Sequence, residues 1–229
     1  MANMGLSDLV LVSPECDLDD PQAQGFAARA KHMLKEARVV HSVAEALEGS
    51  VQTFAASGKG GMYRKQAGVT VSAGAEMALR AADRGVVAIA FGPEDRGLVM
   101  RELLEFDHVI EIPAAPEYPT LNLAAAATVV CYELRQAGLR RETGSPAALC
   151  DEPLATDDRK RIMYEKLFTG LDLIGYFGGQ QNPEHLKYAL RRVFGRVEMT
   201  VNEADILIGM AQQIRWYAER YPRSDKAAD

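Results

Sequence analysis

Little in this chain points to a stapled, metal-bound or membrane-embedded protein. Its three cysteines, Cys16, Cys131 and Cys150, are widely spaced and form no CxxC pair, and only four histidines accompany them. That set offers no zinc-ligand spacing, and an odd cysteine count builds no disulfide framework. Free thiols suit a reducing cytoplasm. No apolar run approaches the roughly 18 residues that a membrane span needs. The opening MANMGLSDLVLV has neither a positive leader segment nor a small-residue cleavage pattern, so no signal peptide is expected. An excess of positive charge is also lacking, since the formal net charge is −6. Bulk electrostatics therefore gives no ground for nucleic-acid binding, and any such site must be a local basic groove.

What is present is a regular alternation. Asp8 to Val12 reads as a buried strand ending at Ser13-Pro14, and residues 22–37 carry Phe26, Ala30, Met33 and Leu34 near helical spacing. Short strands follow at residues 38–41, 51–55, 86–91 and 108–112, interleaved with helices at residues 43–47, 74–83, 99–106 and 122–137. Strands alternating with helices, several of them apolar on both faces, predict a parallel sheet covered by helices. From Gly144 to Thr156 periodicity stops and two prolines enter, which marks a linker. Beyond it, residues 157–174, 183–193 and 202–221 read as amphipathic helices. The expected organisation is an α/β domain over 1–145, a linker over 146–156 and a small all-helical domain over 157–229.

Two segments carry the chemistry. Phe91-Gly92-Pro93-Glu94-Asp95-Arg96-Gly97-Leu98 follows an apolar strand directly. Ile110-Glu111-Ile112-Pro113 is followed by Glu117-Tyr118-Pro119-Thr120-Leu121-Asn122-Leu123-Ala124 at the head of a helix. Either alone is a strand-to-helix turn. Both fall at the carboxyl ends of parallel strands, where open α/β sheets bind ligands. Gly92 and Gly97 permit close backbone approach or positive φ. The walls would be apolar, from Phe91, Ile112, Leu121 and Leu123. Such loops offer apolar walls and exposed backbone polar groups, with no phosphate-cradling anion nest. Ser57-Gly58-Lys59-Gly60-Gly61 fails as a phosphate loop, because Thr53 and Gly60 stand where glycine and a hydroxyl are required. It reads as a flexible surface loop. Glu94 reads as a residue that orders its loop rather than as a general base.

The pair of segments resembles motifs 2 and 3 of the SPOUT-class (SpoU/TrmH superfamily) RNA methyltransferases. Within that class the likeness narrows to the bacterial TrmJ family. Pro116-Glu117-Tyr118 with Thr-Leu-Asn, the run Val129-Val130-Cys131-Tyr132-Glu133-Leu134-Arg135, and the tail LKYALRRVF over 186–194 with Glu203 and ILIG over 206–209 all look like it. The resemblance implies a SPOUT fold with a parallel sheet and a carboxyl-terminal trefoil knot, followed by the helical domain. It also implies a cytoplasmic homodimer that moves a methyl group from S-adenosylmethionine to a ribose 2′-hydroxyl of tRNA, at nucleotide 32 of the anticodon loop, with rRNA or another structured RNA the alternative substrate. Neither DNA nor a membrane is an implied partner, and no metal is. The residues expected at the cofactor are Phe54, Ala55, Ala56, Gly92, Ile112, Thr120, Leu121 and Asn122, with Thr120 also the catalytic candidate for placing substrate. Lys187, Arg191 and Arg192 are expected to track RNA phosphates. They belong to a wider concentration of positive charge with Arg140-Arg141, Lys160-Arg161 and Arg196. Trp216 and Tyr217 are expected as packing anchors.

Three departures from the family pattern stand out. The stretch Met1 to Leu6 matches the end of its motif 1, which sets the family's asparagine, catalytic arginine and first strand ahead of Met1. A start assigned at an internal methionine and a catalytically impaired homologue that binds without turnover both fit that departure. A hydroxyl- and arginine-bearing signature is replaced by Phe54-Ala55-Ala56-Ser57, which bears on RNA specificity. The motif 3 serine is Thr120, which keeps the hydroxyl.

Overall fold

A computed structural model describes residues 1–58, 68–143, 152–178 and 182–221. The strands are β1 (Val10–Val12), β2 (Arg38–Val40), β3 (Ser50–Ala56), β4 (Val69–Thr70), β5 (Val86–Phe91) and β6 (His108–Glu111). All their pairings are parallel, as expected, but they form two sheets: β1-β2, and a larger one in the order β4-β6-β3-β5. β5, an unbroken apolar run that would suit a strand paired on both sides, pairs only with β3 among the described residues. Its first residue, Val86, is 60% exposed, and Val12 and Val39 of the smaller sheet are also open to solvent.

The helices are α1 (Pro21–Ala27), α2 (Lys31–Lys35), α3 (Val43–Leu47), α4 (Val71–Ala82), α5 (Met100–Leu103), α6 (Leu123–Thr143), α7 (Asp157–Leu173), α8 (Pro183–Gly195) and α9 (Val201–Arg220). The single helix expected over 22–37 is broken into α1, a short 3-10 turn and α2. The break falls at Ala28, whose φ of 48° ends α1. An alanine in that conformation leaves no mark in sequence, because the left-handed region is usually held by glycine or asparagine.

Period-two alternation divides the larger sheet between two cores. Phe54, Ile110, Val87 and Ile89 face α4 and α6, where they meet Val71, Ala78 and Val130. Ala55, Val109, Ala88 and Ala90 face the other way, onto Leu47, Leu98, Leu103 and Phe106. A third core, Met163, Tyr164, Leu167, Ala204, Ile208 and Ala211, lies between α7 and α9 with Phe194 of α8 against it. Residues Leu154 and Ala155, inside the expected linker, are buried: Leu154 bridges to Thr200 and packs with Val51 and Ala81. The rest of that segment, 144–151, and residues 59–61 of the glycine loop lie outside the described residues.

Two expectations about side chains are corrected. Lys160-Arg161, counted above in a concentration of positive charge, is matched by buried and half-buried carboxylates. The Lys160 side chain is 7% exposed and reaches Asp107 and the Val51 carbonyl, while Arg161 joins Asp157 and Glu105. Trp216 and Tyr217 are exposed, not packing anchors, because α9 turns its buried stripe of Ala204, Ile208 and Ala211 toward α7 instead. No helix among the described residues is long and apolar enough to cross a membrane.

His108 is buried beneath Phe54, with ring centroids 5.0 Å apart, and its Nε2 pairs with Gln52 at 2.9 Å. Desolvation lowers its pKa from 6.5 to about 4, the Asp107 charge opposing and the Lys160 charge assisting. A neutral buried imidazole stabilises the fold fully above pH 6.5. That contribution is lost as pH falls from 6.5 to about 4, because the unfolded chain takes up the proton first. It amounts to at most about 3 kcal/mol. Burial raises the Asp157 pKa, so Asp157 acts in the opposite sense, its contribution fading as pH rises through the raised value. Urea unfolding at pH 7 and pH 4.5 should therefore show a smaller acid loss for His108→Gln than for the wild type. Parallel stability profiles would contradict this assignment.

Candidate active site

Strands β6, β3 and β5 end level with one another. Ala56 pairs with Ile110 on one side and Phe91 on the other, so three loops leave the same edge of the sheet. The first begins at Ser57, whose amide still donates to the Ile110 carbonyl at 3.1 Å. The second is Gly92 to Leu98 and the third runs from Ile112 to Asn122.

Specific contacts join the loops. Glu94 accepts a hydrogen bond from the Asn122 side-chain amide, linking the second loop to the third. Asn122 Oδ1 meanwhile accepts from the Ala124 and Ala125 amides at 2.9 and 3.3 Å, capping α6. The first loop lies on the third: a β-carbon at Gly58 would be 3.0 Å from the Pro119 carbonyl and 3.3 Å from Thr120 Cα. The described end of the expected surface loop is therefore packed at the site. Inside the second loop the Gly97 amide donates to the Pro93 carbonyl at 2.8 Å, and Gly97 has a φ of 65°. The need for glycine at 92 is equally definite. A β-carbon there would lie 2.3 Å from the Gly97 carbonyl carbon and the Leu98 nitrogen. Gly92 thus lets the loop close on itself by a close backbone approach.

The residues expected at the site fall into two groups. Phe54 and Ala55 are fully buried, their side chains in opposite cores and their backbone paired with β5 and β6; Ala56 is half-buried beside them. Gly92, Ile112 and Leu121 are half-buried, and Thr120 and Asn122 are exposed. These residues gather on one edge. Lys187, Arg191 and Arg192 lie elsewhere, on α8. Lys187 pairs with Glu184 at 2.8 Å and covers Phe177, and Arg192 lies over Tyr188. The Arg191 guanidinium stacks 4.7 Å above Tyr164 and donates to the Leu104 carbonyl at 2.9 Å, which seats α8.

Among the described residues the edge carries exposed Glu94, Asp95 and Glu117 and suits a cation better than an anion. Arg96, in the second loop, donates to both Glu102 carboxylate oxygens at 2.9 and 3.0 Å and to the Gly97 carbonyl at 3.1 Å. The hydrogen bonding to Glu102 raises the Arg96 pKa and lowers that of Glu102. Glu102 also caps α5 by accepting from the Val99 amide at 2.8 Å, a role sequence reasoning missed. A Glu three residues into a short helix was the available signal. Among the described residues no cluster of His, Cys, Asp and Glu could hold a metal ion. Half-buried Phe91, Ile112 and Leu121 with exposed Thr120 and Glu94 form an apolar wall carrying a few polar groups, which fits a sulfonium-type methyl donor.

Sheet and loops together define a methyltransferase, and comparison with known proteins agrees. The chain belongs to the SpoU rRNA methylase family, whose model matches residues 1–132. Within it the chain is TrmJ-like. It is 33% identical over 240 residues to the tRNA (cytidine/uridine/adenosine-2′-O-)-methyltransferase TrmJ of Pseudomonas aeruginosa, covering 98% of this chain and 90% of that protein. It is 34% identical to a Yersinia pestis TrmJ described as a tRNA (cytidine/uridine-2′-O-)-methyltransferase, covering 97% of this chain and 86% of that one. The solved structure of TrmJ from Z. mobilis matches with a TM-score of 0.74 at 28% identity, covering 93% and 89% of the two chains.

Two substitutions test the loop geometry. Gly92→Ala should destabilise the fold by roughly 1–3 kcal/mol, as overpacking does. Asn122→Asp should keep the α6 cap but set two carboxylates against each other, so the second and third loops should exchange amide hydrogens faster while α6 stays protected. Unchanged exchange in those loops would show that the Glu94–Asn122 link does not hold them.

Proposed function

We propose that this protein transfers a methyl group from S-adenosylmethionine to a ribose 2′-hydroxyl of tRNA, in the anticodon loop. The observation that carries the reading is the convergence of three interlocked loops on one sheet edge, in a chain of the SpoU family with TrmJ relatives along nearly its whole length. In the same reading the third loop belongs to a trefoil knot, and the protein works as a homodimer in the cytoplasm. Helices α7 to α9 form a tRNA-contacting unit.

The bound cofactor supplies an electrophilic methyl carbon on a sulfonium. The chain's task is placement, which can account for much of the rate of such a transfer. Half-buried Phe91, Ile112 and Leu121 exclude water from one side of the edge. Backbone at Gly92 and at Ala56, where β3 leaves the ladder, offers polar groups to an adenine edge. Glu94, tied to Asn122, keeps a negative charge at the loop mouth. Thr120 stands exposed beside Gly58, where its hydroxyl can align the ribose. An alcohol is too weak a base to accept the leaving proton at neutral pH, so Thr120 orients the nucleophile.

Thr120→Val removes that hydroxyl at nearly constant volume. With labelled cofactor and bulk tRNA it should lower kcat by about 10- to 100-fold, as expected when one positioning hydrogen bond is removed, while cofactor Kd stays within about threefold. Wild-type protein that binds S-adenosylhomocysteine and tRNA without turnover would replace the enzyme by the impaired homologue. Absence of cofactor binding to folded protein would remove the proposal altogether. For RNA, Lys187→Gln with Arg192→Gln should flatten the salt dependence of tRNA affinity, the slope changing by roughly 0.7–0.9 for each phosphate no longer neutralised. Arg191 is left intact because it seats α8. An unchanged slope would leave both residues as an ordinary helix face.

A further inference from the structure

At the end of the sheet opposite the loops lies the most deeply buried ion pair among the described residues, and the mechanism above does not use it. Lys160 Nζ lies 2.6 Å from Asp107 Oδ2, and each side chain is only 7% exposed. The same carboxylate oxygen accepts from the Thr53 amide at 3.0 Å and from the Thr53 hydroxyl at 3.1 Å, and the hydroxyl in turn accepts from the Asp107 amide at 3.0 Å. Lys160 also donates to the Val51 carbonyl at 3.1 Å. One carboxylate therefore fastens the middle of β3 to the root of β6, and its counter-ion comes from α7.

We propose that Lys160 is a positioning residue for methyl transfer: through Asp107 it fixes the alignment of β3 with β6, and so the fit of the two loops those strands carry. The inference rests on the reading of those loops as the methyl-donor site. The route is short and made of paired backbone. Beyond Thr53 the strands continue in register, Phe54 with His108 and Ala56 with Ile110. Four residues on, about 13 Å along a strand, the Ser57 amide meets the Ile110 carbonyl at 3.1 Å. The next residue, Gly58, abuts Pro119 and Thr120.

The neighbourhood of Asp107 is filled from the same direction. A β-carbon at Gly195, the last residue of α8, would lie 2.8 Å from the Asp107 carbonyl oxygen, so α8 rests directly on this turn. Arg191 takes the Leu104 carbonyl just before it. Helices α7 and α8 thus grip the segment that launches β6. An ion pair shielded from water is held by geometry on every side, and loss of one partner leaves the other charged, buried and uncompensated. The helices expected to hold tRNA are thereby coupled to the strands expected to hold the cofactor.

The test uses the full chain and two readouts: calorimetric affinity for S-adenosylhomocysteine, and hydrogen–deuterium exchange of residues 53–57 and 107–122 without ligand. Lys160→Met keeps the side-chain stem and removes the charge. Should it fold poorly, Lys160→Met with Asp107→Asn removes both charges and leaves an acceptor for the Thr53 amide. Leu167→Ala, in the α7–α9 core, is the control that lowers stability without touching Asp107. We expect the folded Lys160 variant to lose at least tenfold in S-adenosylhomocysteine affinity and to exchange faster at residues 54–57, while the control melts earlier with affinity and exchange there unchanged. Affinity within twofold of wild type and unaltered exchange would overturn the proposal and leave Lys160 as a fold-stabilising residue only. Should wild type itself fail to bind S-adenosylhomocysteine, the methyl-donor reading falls, and the exchange data still decide whether Lys160 sets the strand ends.

Discussion

A single carboxylate, Asp107, stands where the parts of this molecule meet. Its side chain joins β3 to β6 through Thr53, and its charge is neutralised by Lys160 of α7. Its backbone carries the end of α8, where only glycine fits at 195. Burying such a pair is costly, and it persists only when further hydrogen bonds satisfy both groups. Here Thr53 and the Val51 carbonyl supply them. The strands so aligned end together at Ala56 and Ile110, and the functional loops inherit that alignment.

The loops are held in a second way, by contacts among themselves. Glu94 with Asn122 joins two of them, Gly58 against Pro119 and Thr120 joins the first to the third, and Gly92 lets the second fold back on Gly97 and Leu98. At Gly92 side-chain bulk is excluded by protein backbone rather than by a ligand. Placement contributes much of the rate of methyl transfer, and loops linked to one another on a shared sheet edge accord with that. The TrmJ relatives match the chain along nearly its whole length, and the family model covers all three loops.

Much of this was legible in the sequence because it depends on local pattern. The apolar run 86–91, the paired glycines after it and the Thr-Leu-Asn helix start each signal their own structure, and the parallel sheet follows from alternation. Glu94 was legible as a loop-ordering residue. The hidden features rest on contacts distant in sequence. Lys160 looks like any lysine on a helix until α7 is laid across β3, more than a hundred residues earlier in the chain. Arg191 looks like a phosphate contact until Leu104 and Tyr164 are seen beneath it. The break at Ala28 and the exposure of Trp216 and Tyr217 depend likewise on tertiary surroundings. The division into β1-β2 and the four-stranded sheet could not be read from strand patterns alone, since pairing partners are not written in them.

The most direct test of methyl transfer to tRNA ribose is mass-spectrometric mapping of tRNA after incubation with purified protein and isotopically labelled S-adenosylmethionine. The predicted result is label on a ribose 2′-oxygen within the anticodon loop. Label on a base, or none in a sample that binds both cofactor and tRNA, would contradict it.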